Sequence, residues 1–179
     1  MVAPTAGGPY NQPTLHGDPH AMAKLQAVPS STLSGFKTDE ITWHHLLGSP
    51  DFDYPIDYWI AVLGGNIAEG RVDFLVKWEP NAYCHYHRHI GPTTTLVLEG
   101  EHHIVDESAT ETVHKVRQAG HFARSNGGDL HMEYGGAQGT VVLFSMQSDD
   151  GRLFDVLDKD LNVLTTTTVE DLMLGRFVS

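Results

Sequence analysis

The sequence predicts an all-β protein that folds as one barrel or sandwich domain. From about residue 40, short segments rich in Val, Ile, Leu, Phe, Tyr, Trp and Thr are interrupted by Gly, Asn, Asp or Pro roughly every 8–12 residues. Such spacing, without helical patterns between the segments, is typical of all-β sandwiches and barrels. At 179 residues, the chain is long enough for one domain with a sizeable core.

The predicted strands cover most of the chain after residue 40. They are Ile41–Leu46, Tyr58–Leu63, Arg71–Trp78, Tyr83–His89, Thr94–Glu99, Glu101–Asp106, Thr112–Arg117, His121–Arg124, His131–Tyr134, Thr140–Gln147, Leu153–Leu157 and Val163–Thr167. One segment, Val169–Leu174, has a helical pattern, with Thr168 as its N-cap and Gly175 as its stop. Gly100 stands between two strongly β-prone runs, so we expect a tight hairpin there. Further turns with positive φ are predicted at the glycine-containing stretches 64–65, 126–128 and 149–151.

The N-terminal segment has a different character. Residues 1–35 contain five of the nine prolines, many Gly, Ser and Thr residues, and no sustained apolar periodicity. We therefore expect residues 1–39 to form an extended arm and residues 40–179 to form the domain.

Composition excludes several classes of partner. The chain has 11 Lys and Arg against 23 Asp and Glu, a net charge of −12, which would repel a nucleic-acid backbone or an anionic membrane. The single cysteine, Cys84, excludes an internal disulfide framework and suits a reducing compartment. No stretch has the roughly 20 apolar residues of a membrane span, and the N-terminus lacks a secretion signal pattern. We expect a cytoplasmic protein that binds a small molecule, with no nucleic acid and no membrane as partners.

The twelve histidines are the unusual feature of the composition. Three of them, His85, His87 and His89, fall in the stretch "CHYHRHIGPTTT" at residues 84–95. On an extended strand they share one face, with consecutive Cα atoms about 6.6–7 Å apart. Two such imidazoles can converge on one metal ion through bonds of roughly 2.0–2.2 Å. Three in a row span about 13 Å, so we expect one of them to lie outside the ligand set.

A second stretch is needed to choose the pair. Residues 120–135, "GHFARSNGGDLHMEYG", resemble the second conserved motif of the cupin superfamily, Gly-x5-Pro-x-Gly-x2-His-x3-Asn, with Asn126 at the proline and Gly135 at the asparagine. Residues 81–100 resemble the first motif, Gly-x5-His-x-His-x3,4-Glu-x6-Gly, with Asn81 at the first glycine. The resemblance implies a cupin β-barrel, a double-stranded β-helix. It also implies a metal site formed by His87, His89 and His131.

One position departs from the cupin pattern. The glutamate of the first motif falls at Thr93 or Thr94, and neither is a carboxylate. A three-histidine site without this glutamate resembles the cupins that cleave carbon–carbon bonds, such as acetylacetone-cleaving dioxygenase and 2,4'-dihydroxyacetophenone dioxygenase. The segments "HRHIGPTTTLVLEG" and "GGDLH" are also similar to that group. The resemblance implies a redox-active Fe(II) ion with open positions for an enolate substrate and O2.

Further polar residues are candidates for roles around the metal. Glu133 shares the inward face of His131 on an extended strand, so its carboxylate could hold an imidazole N–H or act as a base. His85 shares the face of the ligand pair and is the second candidate catalytic residue. His102 and His103 are adjacent and point to opposite faces, and we expect them to pair across strands on the surface. The alternative is that one of the two approaches the metal.

The sequence therefore favours a metal-dependent dioxygenase that acts on a small diketone- or hydroxyketone-like substrate with O2. Fe(II) is the expected metal, and Zn(II) and Ni(II) also suit imidazole ligands. Glu133 and His85 are expected to assist proton transfer. A non-catalytic Zn(II)-binding sensor cupin, a redox-neutral metal-dependent lyase or isomerase, and a metal-free binding protein remain alternatives. Since the arms of cupins often pair with a neighbouring barrel, the resemblance also implies a homodimer or homotetramer.

Overall fold

The computed structural model describes residues 41–48, 55–107 and 111–177. In these ranges the chain forms the strands β1 (His44–Leu47), β2 (Asp57–Asn66), β3 (Arg71–Trp78), β4 (His87–His89), β5 (Thr93–Glu107), β6 (Thr112–Gln118), β7 (Phe122–Ser125), β8 (Leu130–Gln147), β9 (Arg152–Leu157) and β10 (Val163–Thr168). A 3-10 turn covers Ile67–Glu69, and one helix, α1, covers Val169–Met173. The arm predicted for residues 1–39 lies outside the described residues.

The strands form one sheet in which every named pairing is antiparallel. Its order is β1-β2-β3-β8-β4-β9-β10, and β5 pairs with β6, β7 and β8. The pairing of β5 with β8 is the longest, and it joins the second half of β5 to the part of β8 that carries His131 and Glu133. The all-β prediction is confirmed.

The hydrophobic core lies mainly between strands β3 and β8 and the elements that cover them. Burial alternates along much of both strands, and each also has a run of consecutive buried residues, 74–76 in β3 and 139–142 in β8. The buried side chains of these two strands include Val72, Phe74, Val76, Trp78, Val142, Phe144 and Met146. The rings of Phe74 and Phe144 are stacked at 5.3 Å between centroids. Leu46 of β1 and Leu172 of α1 complete the same cluster.

The predicted C-terminal helix is present and is one residue shorter than expected. The hydroxyl of Thr168 accepts a hydrogen bond from the backbone N–H of Asp171, whose carboxylate in turn accepts one from the backbone N–H of Thr168. This capping box explains where the helix begins. Val169 and Leu172 bury its apolar side. Among the described residues, no helix has the length and apolar character needed to cross a membrane.

The hairpin predicted at Gly100 is wrong. Strand β5 continues through Gly100, whose φ is 69°, and the pairing with β8 shifts register on both sides of it. A Cβ at this position would lie 2.1 Å from the carbonyl oxygen of Gly139. Glycine is required here because the strand needs a positive φ and a close approach to its partner. It forms a β-bulge instead of a turn.

The other predicted glycine turns have mixed outcomes. The stretch at 64–65 lies inside β2, next to a second register shift, and its glycines do not have positive φ. Gly127, Gly128 and Gly151 have φ values of 90°, 85° and 78° in connections between strands, as predicted.

The bulge at Gly100 changes which residues of β5 face the interior. Before it, the odd-numbered residues Thr93, Thr95 and Val97 are buried, and after it the even-numbered His102 and Ile104 are buried. Side chains alternate along a strand, so this reversal reflects the two register shifts. Between Val97 and Glu99 strand β5 has one extra residue relative to β8, and between Gly100 and His102 strand β8 has three extra residues.

We expect Gly100→Ala to lower the free energy of unfolding by about 2 kcal/mol or more, because the new Cβ meets a backbone oxygen and also requires an unfavourable φ. Gly120→Ala is the matched control, since Gly120 also has a positive φ but no atom within 4 Å of its added Cβ. That variant should lose only about 1 kcal/mol. Chemical denaturation of both variants measures the difference, and equal losses would contradict the packing argument.

Candidate metal centre

Strand β4 brings the predicted ligands together. It lies between β8 and β9, and His87 stands directly opposite His131 of β8. His87 and His89 point to the same face because they are two residues apart. The exposed fractions of His87, His89 and His131 are 8%, 4% and 7%. The pair in the first motif and the single histidine of the second therefore meet in the interior.

These three histidines and Glu133 form one compact group. A ligand atom of each of the four residues lies within 4.8 Å of the others. Within the described part of the chain, this is the one such group of three or more potential metal ligands. His85 is buried but does not belong to it.

Hydrogen bonds orient the two imidazoles of β4. The Nδ1–H of His87 donates to the carbonyl oxygen of His85 at 2.8 Å. Nδ1 of His89 lies 2.8 Å from Oγ1 of Thr93, whose hydroxyl donates to the carbonyl oxygen of Gly91 at 3.2 Å. Because the carbonyl can only accept and the Thr93 proton is already used, both Nδ1 atoms carry a proton. The Nε2 atom of each ring therefore keeps its lone pair for a metal ion.

A carboxylate holds the third imidazole. Asp106 stands opposite His131 in the pairing of β5 with β8, and its Oδ1 lies 3.4 Å from Nδ1 of His131. The same carboxylate forms an ion pair with Lys115. The Nε2 atom of His131 is buried and has no hydrogen-bond partner among the described residues. An unsatisfied buried nitrogen costs about 1–3 kcal/mol, and a cation at this point would remove that cost.

The distances between the donor atoms fit one metal ion. The Nε2 atoms of His87 and His89 are 2.9 Å apart, and Oε2 and Oε1 of Glu133 lie 3.6 Å from Nε2 of His87 and of His131. Two donors with bonds of roughly 2.1 Å are about 3.0 Å apart at a right angle and about 3.4 Å at a tetrahedral angle. Two lone pairs that face each other repel unless a cation lies between them. The residues therefore fit a divalent transition metal, for which imidazole is a preferred ligand.

Glu133 gives the group a negative charge. Burial raises the pKa of its carboxyl, but the neighbouring imidazoles of His102 and His131 outweigh this effect and hold the pKa well below its usual range. Nε2 of His102 lies 3.0 Å from Oε1 of Glu133, an ion-pair distance, although its geometry is not that of a hydrogen bond. The glutamate of the first motif is replaced by threonine in β5, and Glu133 of β8 supplies a carboxylate beside the three histidines instead.

The expectation that His102 lies on the surface is wrong. Its side chain is fully buried and stacks on Trp78 at 5.3 Å between ring centroids. His103 faces the other way and lies 3.0 Å from Nε2 of His114 across the strand pair, as predicted. The bulge at Gly100 is the physical reason, since it decides which of the two adjacent histidines faces the interior.

His85 lies next to the group and keeps a neutral ring. Its Nδ1 is 3.0 Å from the hydroxyl of Tyr58. Burial, assisted by His87, lowers the pKa of His85 to about 4. Cys84 is buried with its Sγ 3.7 Å from Nδ1 of His87, and burial raises the pKa of its thiol. The protonated thiol is not part of the ligand group, as the sequence indicated.

Burial also keeps two imidazoles of the group, those of His89 and His131, in the neutral form. It is the largest cause that lowers the pKa of His89 well below its ordinary value, with further effects from His87 and His131. It likewise lowers the pKa of His131 to about 4, against the opposing effect of Glu133. At neutral pH a metal ion can bind these two rings without first displacing a proton.

Two cavities border the ligand group, and Glu133 lines both. The first is apolar, about 60 Å³ in volume, and its lining includes His85, His87, His89 and four phenylalanines, Phe74, Phe144, Phe154 and Phe177. The second is polar, about 440 Å³ in volume, and its lining includes Thr93, Thr95, Arg117 and His131. The larger volume falls in the range of roughly 300–1,000 Å³ that is usual for small-molecule sites.

Comparison with known proteins identifies the fold. No family model matches the chain, and no curated protein sequence matches it significantly. Among solved structures, a Methylibium petroleiphilum PM1 protein assigned as an acetylacetone dioxygenase has a TM-score of 0.61 at 13% identity, over 79% of this chain and 92% of its own. The fold is that of the cupins.

Two further cupin-fold structures have similar scores. The acetylacetone dioxygenase of Acinetobacter johnsonii has a TM-score of 0.57 at 12% identity, over 74% of this chain and 83% of its own. An RmlC-like cupin protein of Ralstonia eutropha JMP134 has a TM-score of 0.56 at 15% identity, over 78% and 80% of the two chains. The resemblance drawn from the two motifs is confirmed, and at these identities the similarity establishes the fold alone.

We expect Thr93→Val to lower the affinity for Zn(II) by roughly 10- to 100-fold, because it removes the oxygen that accepts the Nδ1–H of His89. Thr93→Ser keeps that oxygen and should bind Zn(II) as the unmodified protein does. Competition with a chromophoric chelator measures both affinities. If the valine variant also binds normally, Thr93 does not orient His89.

We expect the metal-free protein to lose stability as the pH falls from about 6.5 to about 4. In this range the unfolded chain binds a proton at His85, whereas the folded protein does not until its lowered pKa is reached. The loss should be on the order of 3 kcal/mol for this residue. Urea denaturation in the presence of a chelator measures it, and His85→Gln should show a correspondingly flatter profile. An equally steep profile in that variant would assign the loss to other groups.

Proposed function

We propose that this protein is a mononuclear non-haem Fe(II) dioxygenase that cleaves a carbon–carbon bond in a small diketone- or hydroxyketone-like substrate. The supporting observation is the buried group in which three imidazoles present their Nε2 atoms to one point beside a carboxylate. Of the proteins of the same fold described above, one is an acetylacetone dioxygenase by name and another is assigned as one. The absence of the first motif's glutamate at Thr93 and Thr94 of β5 also supports the proposal, because a three-histidine site without it resembles such dioxygenases.

The proposed roles of the protein side chains follow from their contacts. His87, His89 and His131 would hold the metal, each fixed by the partner at its Nδ1. A bound Fe(II) ion would supply Lewis acidity toward carbonyl oxygens and a redox-active centre for O2. The apolar cavity would exclude water from the substrate, which strengthens electrostatic interactions there.

Two groups can take a proton from the acidic carbon between the carbonyls of a diketone. Glu133 and His85 both line the apolar cavity. Glu133 has a pKa well below its usual range and His85 one of about 4, so both are in the proton-accepting form at neutral pH. The contact between His102 and Oε1 of Glu133 leaves Oε2 on the side of His87. We assign proton transfer to these two residues.

One observation favours a second candidate function, a non-catalytic Zn(II)-binding sensor. Three imidazoles and Glu133 would provide four protein donors, which is the ligand number of a closed structural zinc site. Such a site would leave no position for a substrate. In the dioxygenase, by contrast, Glu133 stays paired with His102 and the metal keeps open positions.

We expect the protein, reconstituted anaerobically with Fe(II), to consume O2 when a reactive β-diketone or hydroxyketone is added. An oxygen electrode with a panel of such compounds measures the rate. His87→Ala should reduce the rate to background, because it removes one of three imidazole donors. His121→Ala is the matched control, since His121 is exposed and lies outside the group, and its rate should be unchanged.

Other outcomes would identify the alternatives. Tight Zn(II) binding without O2 uptake on any compound would favour the sensor, and product formation without O2 would favour a lyase or isomerase. O2 uptake that is equal in His87→Ala and the unmodified protein would contradict the proposed site.

A further inference from the structure

The polar cavity has an arginine on its wall with no carboxylate partner. Arg117 of β6 stands opposite the buried His102 of β5, so its side chain faces the interior, and it is half-buried. Its Nη1 donates to the hydroxyl oxygen of Thr95 at 3.4 Å. Among the described residues, no carboxylate lies within ion-pair distance of it. A partly desolvated cation without a counter-ion is costly and suggests a ligand.

The carboxylates around this cavity already have partners. Three of them line it, and each contacts a cation, an imidazole or a hydroxyl group of the protein. These partners are Lys115 for Asp106, His102 for Glu133 and the hydroxyl of Ser125 for Asp129. Arg117 is near enough to Asp129 to oppose the rise that burial causes in the pKa of that carboxyl, but it forms no ion pair with any of the three.

A second guanidinium lies at the rim of the same cavity. Arg124 of β7 is exposed, and its guanidinium lies 5.8 Å from the centroid of the Phe122 ring. It too forms no ion pair among the residues that the structure describes. The whole chain has 11 Lys and Arg and a net charge of −12. Two arginines that form no ion pair with the described residues, one of them half-buried, therefore line one cavity of an acidic protein.

We propose that Arg117, with Arg124 at the rim, binds a carboxylate group of the substrate. A guanidinium forms paired hydrogen bonds to a carboxylate, which gives both affinity and orientation. His131 and Glu133 also line this cavity, so a substrate bound in it can contact both the arginine and the group of potential metal ligands. This inference rests on the proposed function and specifies its substrate class as a β-diketone or hydroxyketone acid.

Two probes of equal carbon number test the charge preference. 2,4-Dioxopentanoate differs from acetylacetone by a carboxylate in place of one terminal methyl group. Isothermal titration of each into the Zn(II)-loaded protein gives two dissociation constants, and metal content is measured afterwards to exclude extraction. We expect the unmodified protein to bind the acid at least tenfold more tightly. Arg117→Gln should reduce that preference by roughly 10- to 100-fold, and acetylacetone binding should be unchanged.

Arg71→Gln is the matched control, because Arg71 is exposed on β3 and does not line the cavity. It should keep the preference of the unmodified protein. The proposal is overturned if the unmodified protein binds the two probes equally. This measurement does not depend on the folding of any variant. It is also overturned if Arg117→Gln retains the full preference, since the carboxylate would then contact another group.

The titration separates this proposal from the proposed function, because Zn(II) does not activate O2 and no turnover is needed. A protein that prefers the acid but never consumes O2 keeps the carboxylate site and lacks the oxygenase activity. A protein that consumes O2 with acetylacetone but shows no preference for the acid is an oxygenase without this site.

Discussion

The β-bulge at Gly100 determines which side chains of β5 face the interior, and the metal-binding group depends on that choice. Before the bulge, Thr93 faces inward and accepts a hydrogen bond from His89. After it, His102 lies against Glu133 and Asp106 lies beside the third ligand imidazole. If side chains alternated along β5 without interruption, either Thr93 or both His102 and Asp106 would point away from the group. One glycine with a positive φ thus aligns both halves of β5 with the ligands.

Burial of these side chains favours the binding of a cation by the group. The imidazoles cannot easily take up a second proton and become charged there, because desolvation lowers the pKa of His89 and His131. Glu133 nevertheless stays ionised, since the surrounding rings hold its pKa well below the usual range. The metal-free protein therefore holds lone pairs and a negative charge in a space with little water. A divalent ion would satisfy the lone pairs and the negative charge together. The contacts at the Nδ1 atoms leave the Nε2 lone pairs available for such an ion.

The sequence predicted most of the strands and the helix from local spacing, and the cupin resemblance implied the three histidines that the structure brings together. The single residue between His87 and His89 fixes their common face, and the second motif supplies the partner. The bulge at Gly100 was missed because a positive-φ glycine fits a hairpin and a bulge equally well. The burial of His102 depends on that bulge. The role of Arg117 depends on which strands pair, and no local pattern near this residue indicates the cavity beside it.

The central claim is that three imidazoles present unprotonated Nε2 atoms to one metal ion. Long-range ¹H–¹⁵N NMR of the ¹⁵N-histidine-labelled protein tests it directly, since it distinguishes the protonated nitrogen of each ring. After addition of one equivalent of Zn(II), we expect His87, His89 and His131 to be protonated at Nδ1 and to show shifted Nε2 signals. His103 and His114, outside the group, should be unaffected. Rings protonated at Nε2, or Nε2 signals that do not respond to the metal, would contradict the account.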